Sequence, residues 1–131
     1  MKHLLDINLL IALGHAAHDH HSRAIDWYGS MQKANSTLCT CAITELGFVR
    51  VSVQAGLQAD VQSARKALAA LKATSTIPFE LIGDSIGADR LPAFARTPLK
   101  ITDGHLLELA REYNALLATL DMGIPGASVL P

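Results

Sequence analysis

The sequence predicts an α/β domain built around a mostly parallel central sheet. Short apolar, strand-like runs alternate with amphipathic, helix-like stretches along the whole chain. The strand-like runs are continuously apolar rather than alternating, as expected of strands buried on both faces. The 131 residues are 50% hydrophobic and 18% charged. That suits one compact domain over 1–131, burying roughly 65–70% of its unfolded surface.

The elements can be taken in order. "KHLLDI" is short and apolar and ends in a carboxylate, which predicts a buried first strand. "NLLIALG" predicts a short helix stopped by Gly14. "SRAIDWYGSM" places Ala24, Ile25, Trp27, Tyr28 and Met31 at helical spacing, with Ser22 as the expected N-cap. "STLCT" predicts the second strand. In "AITELGFVRVSVQ", Ile43, Leu46, Val49 and Val53 trace one apolar face of a helix. "VQSARKALAALKA" is the clearest amphipathic helix, rich in strong helix formers. "PFELIG" predicts a third strand, and Asp84 to Leu91 a short helix or irregular loop. "TDGHLLELAREYN" predicts a helix capped by Thr102, with Leu106, Leu107, Leu109, Ala110 and Tyr113 on its apolar side. "ALLATLD" predicts a fourth strand ending in a carboxylate, and "ASVLP" a short last edge strand.

Composition narrows the function classes. The net charge is −1 and the pI near 6.6, so the chain lacks the strongly basic balance common in nucleic-acid-binding domains. A polyanion would need a local basic patch, metal ions or a dimer groove. The mean hydropathy of +0.25 points to a covered partner surface or to an aliphatic-rich core. No apolar run reaches the roughly 18 residues that a membrane span needs. Asp6 and Asn8 break the apolar N-terminal run, so it reads as part of a cytoplasmic protein rather than a signal peptide. Cys39 and Cys41 form a C-T-C pair, read as buried small side chains rather than a disulfide or metal site.

The chemistry lies in the carboxylates. In open α/β sheets, ligands bind beyond the carboxyl ends of the strands. Asp6 ends the first strand, Glu45 lies early in the helix after the second, Asp103 falls in a helix first turn, and Asp121 ends the fourth strand. Clustered carboxylates repel one another and hold protons unless a cation is present. An all-oxygen donor set suits Mg²⁺ or Mn²⁺ rather than zinc. The implied reaction is metal-assisted hydrolysis of a phosphodiester by water. A lone Asp at a helix start is also an ordinary cap or dipole partner; only all four together point to a cation site.

"LLDINLLIAL", "CTCAITELGFVRV" and "ITDGHLLELAREYNALLATLD" resemble, in order, the successive motifs of PIN-domain ribonucleases. More narrowly, they are similar to VapC-like toxins of bacterial type II toxin–antitoxin systems. The resemblance runs from residue 2 to the end. It implies a three-layer α/β/α PIN-like fold and endoribonuclease activity dependent on Mg²⁺ or Mn²⁺. It also implies a homodimer and a cognate antitoxin that covers the acidic site. It carries the catalytic and metal-binding acids onto Asp6, Glu45, Asp103 and Asp121, with Asp6 and Asp103 expected to bind metal most directly. Asn8 and Thr119 match polar motif positions and are expected to orient Asp6 and Asp121. Two departures stand out: Gly104 replaces a commoner Ala, and Met122-Gly123-Ile124 follows Asp121 where a polar residue and an aromatic are usual.

Arg90, Arg96 and Lys100 precede Asp103 in a loop-rich stretch and are candidate RNA phosphate contacts. The cluster His15, His18, His20 and His21 reads as a polar loop; a transition-metal site there is the sharper but less economical alternative. Trp27 and Tyr28 read as packing residues. Two other functions fit an acid cluster: a phosphatase or phosphoreceiver domain, and a non-catalytic PIN-like module whose acids dock a partner's Arg.

Overall fold

The computed structural model describes all 131 residues. Five strands form one sheet: β1 (Lys2–Leu5), β2 (Thr37–Thr40), β3 (Phe79–Leu81), β4 (Ala115–Thr119) and β5 (Ser128–Val129). Their spatial order is β3-β2-β1-β4-β5, and every neighbouring pair is parallel. Five helices connect them: α1 (Ile7–Gly14), α2 (His21–Lys33), α3 (Ala42–Gln54), α4 (Val61–Thr74) and α5 (Ile101–Glu112). None is long and apolar enough to cross a membrane.

The expected three-layer α/β/α architecture is present. Successive strand side chains point to opposite faces. Leu5, Leu38 and Ala118 pack with Leu9, Ala24, Trp27, Phe48 and Leu68 from α1–α4 on one face. Leu4, Cys39 and Leu117 pack with Leu106, Leu109 and Ala110 of α5 on the other. Cys39 and Cys41 are both free and buried in this second layer.

The winding fixes where a ligand can bind. The chain steps outward from β1 through β2 to β3, then returns to lay β4 on the other side of β1. Strand order therefore reverses between β1 and β4, and a crevice opens there above their carboxyl ends. Leu5 is paired with Ala118, so the next residues, Asp6 and Thr119, emerge side by side at that crevice.

Several local expectations need correction. Ser22 does not cap α2, which starts two residues earlier, at His21, with His20 at the cap position. Thr102 is not a cap either: a 3-10 turn over Pro98–Lys100 runs directly into α5 and places Thr102 inside the helix. The apolar face read for α3 is rotated. Thr44, Gly47, Phe48 and Ser52 are its buried residues, while Leu46 is 67% exposed. Gly47 explains the rotation, because a Cβ there would stand 2.4 Å from Ile7 Cδ1. The small face of α3 thus admits α1 at close range, and the bulkier Leu46 is turned outward. Asp84–Leu91, by contrast, is the irregular loop expected, with one 3-10 turn at Ala88–Arg90.

Candidate functional site

Asp6 occupies two roles at once. It is the N-cap of α1, and its Oδ1 accepts the Leu9 N–H at 2.8 Å. Its Oδ2 accepts the Thr119 hydroxyl. The residue is only 5% exposed. Burial pushes its carboxyl above the usual range; the Thr119 and Leu9 hydrogen bonds oppose that, and the charges of Asp103 and Asp121 add to it.

Asp121 lies two residues beyond β4. Its N–H donates to Thr119 Oγ1 at 2.9 Å, and its Oδ1 accepts the Gly123 N–H at 2.7 Å. Thr119, fully buried, therefore joins Asp6 to Asp121 through one hydroxyl. Asp103, in the first turn of α5, lines a cleft with Asp6, Asn8 and Thr102. Its carboxyl is also raised, first by burial, then by Asp121, against the lowering effect of Lys100. Of the four acids expected to cluster, Asp6, Asp103 and Asp121 thus lie at the sheet's reversal point, near enough to act on one another's charge.

Glu45 is placed differently. It sits in the first turn of α3, and its Oε2 accepts the Thr40 hydroxyl at 2.5 Å and forms an ion pair with Lys72 of α4. It lines a groove between α3 and α4 rather than the cleft of Asp6 and Asp103. No three Asp, Glu, His or Cys side chains are drawn together as a ready metal cage. Mg²⁺ commonly keeps several waters and takes one or two carboxylates, so the raised, all-oxygen pair Asp6 and Asp103 with Asp121 nearby fits such an ion. Asn8 lines the cleft but is exposed and makes no hydrogen bond to Asp6, so the orienting role expected of it falls to Thr119 alone.

Among the basic candidates, Lys100 stands nearest the acids, its Nζ 3.4 Å from Gly123 O. Arg90 is engaged by Glu112 and Glu108, and Arg96 donates to Ala93 O. The histidines do not converge on a metal. His15 is buried against Phe48 with Nδ1 on Ile11 O, and His21 Nδ1 bonds Ala12 O. Two contributors were not anticipated. Thr40, at the end of β2, and Lys72 both hold Glu45. The strand-end position of Thr40 is a usable sequence signal; Lys72, 27 residues from Glu45 on an ordinary amphipathic helix, carries none.

Comparison with known proteins agrees with this geometry. The PIN domain family model matches residues 3–127. Ribonuclease VapC38 of Mycobacterium tuberculosis is 38% identical over 126 residues, 92% of this chain and 86% of its own. Ribonuclease VapC29 of the same species is 35% identical over 124 residues, covering 95% and 89%. The crystal structure of M. tuberculosis VapC20, described as a sarcin-ricin loop cleaving toxin, superposes with a TM-score of 0.64 at 15% identity, covering 98% of this chain and 99% of that one. PAE2754 from Pyrobaculum aerophilum gives 0.59 at 16% identity, covering 98% and 89%. Fold, motif order and sequence relatives converge: the chain belongs to the PIN-domain family, among the VapC-like proteins.

Proposed function

We propose that this chain is a Mg²⁺- or Mn²⁺-dependent endoribonuclease, one PIN-like unit over 1–131, acting as the toxin of a toxin–antitoxin pair. The observation that carries the reading is the meeting of Asp6, Asp103 and Asp121 at the β1/β4 crevice, two of them with raised carboxyls. Such a site favours a cation, and its donors are all oxygen. Relatives named ribonuclease support RNA as the substrate class.

Asp6 and Asp103 would hold the ion most directly, with Glu45 and Asp121 completing the site partly through water. A bound divalent ion supplies polarisation of the phosphoryl oxygen and acidification of a water. The chain's own residues do the rest. Thr119 fixes Asp6 and the Asp121 backbone, so the carboxylates are held before substrate arrives. Lys100, at the rim, meets an RNA phosphate, with Arg90 and Arg96 as outer contacts. The partners are RNA, a cognate antitoxin over the acidic site and a second copy of the chain; the setting is cytoplasmic.

The test is cleavage of a panel of cellular RNAs with Mg²⁺, Mn²⁺ or EDTA, beside Asp6→Asn. Metal-dependent cuts that vanish in Asp6→Asn are the expected result. Cuts that persist in EDTA, or in Asp6→Asn, would refute the reading.

A further inference from the structure

Glu45 is the one acid of the four already committed to a cation of the protein's own. Lys72 Nζ and Thr40 Oγ1 both approach the same oxygen, Oε2. The pair is partly buried, with side-chain exposures of 28% for Lys72 and 23% for Glu45. A pair so placed is less screened than a surface one. It faces a groove of about 400 Å³ between α3 and α4, walled by Leu46, Val49, Val61 and Leu68. The only other cation on that wall, Arg65, is exposed and bonded to Gln62. The other three acids lie toward the β1/β4 crevice, where the charges of Asp103 and Asp121 act on Asp6 and those of Asp121 and Lys100 act on Asp103.

We propose that Lys72 is an internal counter-ion for Glu45: its amine and a divalent ion compete for this carboxylate, and loading of the acidic site breaks the pair. This rests on the metal-dependent reading above. The reasoning is electrostatic. Thr40 ends β2, the strand paired with β1, so Glu45 held on its hydroxyl lies on the same carboxyl side of the sheet as Asp6; while Lys72 holds Oε2, Glu45 adds little net charge there. Once the pair opens, a full negative charge faces the incoming ion. Lys72 is therefore a positioning residue that acts through Glu45 and sets the metal concentration at which the site fills.

The experiment is a Mn²⁺ titration of the intact chain at neutral pH and fixed salt, read by the loss of free-ion EPR signal. It compares wild type with Lys72→Met, Lys72→Gln, Lys72→Arg and the double variant Lys72→Met/Glu45→Gln, each checked for folding by circular dichroism. Removing one positive charge near a divalent ion should tighten binding about tenfold. Lys72→Met and Lys72→Gln are both expected to show that gain, so either suffices if the other misfolds. Lys72→Arg should bind as wild type does. The double variant should lose the gain. Wild type without measurable binding beside a binding Lys72→Met would also support the counter-ion role. Equal or weaker binding in Lys72→Met, with wild type binding, overturns this role alone. No binding by any form overturns it together with the metal-dependent reading.

Discussion

The Thr119 hydroxyl donates to Oδ2 of Asp6, a residue 113 positions earlier in the chain. Because the Thr119 Oγ1 in turn accepts the Asp121 N–H, one buried threonine ties together the acids that follow β1 and β4. A hydrogen bond to the charged form of a carboxylate favours that form. Valine has nearly the shape of threonine without the hydroxyl, so Thr119→Val removes the bond and leaves the packing. Asp6 would then rise further toward its protonated state, and the Asp121 N–H would lose its partner. Loss of such a supporting group typically costs about 10–100-fold in metal affinity or activity. The expected outcome is a loss in that range in Mn²⁺ titration and RNA cleavage, with circular dichroism unchanged.

Asp6 also sets a conflict between stability and function. Its charge is buried and has like charges nearby, so it costs the fold more than it contributes. As a cap, however, Asn serves as well as Asp. Asp6→Asn keeps an oxygen for the Leu9 N–H and discards the charge. The expected result at neutral pH is a Tm higher by a few degrees together with cleavage reduced to background. A lower Tm in thermal unfolding would show that the Asp6 carboxylate is a net support of the fold.

These residues also show what the sequence makes legible. Asp6 and Asp121 were readable because a carboxylate directly after an apolar run has few structural uses, and parallel strands put such ends on one side. Leu106, Leu107, Leu109 and Ala110 were readable because local periodicity decides which face of α5 is buried. The orientation of α3 was not, since it depends on Gly47 meeting Ile7 of another helix. Helix starts were misread for a similar reason: the turn over Pro98–Lys100 leads into α5 without any side-chain cap. The Lys72–Glu45 pair joins two helices whose packing no local pattern specifies.

The pH dependence of stability has a separate source in His3. It is buried edge-on against Trp27, and its Nδ1 has no hydrogen-bond partner. Burial, followed by the N-terminal ammonium, lowers its pKa, against a weaker opposing bond to the Met1 backbone. In the unfolded chain a histidine titrates near 6.5. As pH falls below that value the unfolded state takes up a proton that the native state refuses, so stability is lost down to the folded pKa. Inside that window the loss is at most about 1.4 kcal/mol per pH unit. Asp6 and Asp103 act with the opposite sign, since raised carboxyls make the native state the better proton binder above 3.8. Urea unfolding of wild type and His3→Gln at pH 7, 6 and 5 isolates the histidine: the stability difference between them should shift against wild type as pH falls, because His3→Gln cannot take up the proton in its unfolded state.

Gly104 gives a test of how the loop after β3 packs on α5. It lies in the first half of α5, directly after Asp103, where helix propensity alone favours alanine by up to about 1 kcal/mol. The structure supplies the reason for glycine. A Cβ at this position would stand 2.9 Å from Ala95 Cβ and 3.1 and 3.2 Å from the Pro92 ring. The loop after β3 therefore closes directly onto the helix backbone, and it leads into Lys100, which stands beside Asp103 and Gly123. Neither Ala95 nor Pro92 has a flexible end that can swing aside, so the loop itself must move. Overpacking of this kind typically costs about 1–3 kcal/mol, which outweighs the propensity gain. Gly104→Ala is thus expected to lower the Tm despite the better helix former, and to increase proteolytic cutting between residues 91 and 100. Because the displaced segment holds Lys100 beside Asp103, RNA cleavage should fall as well, with KM rising more than kcat drops. A higher Tm with unchanged cleavage would show that the loop yields freely and that the glycine has no packing role.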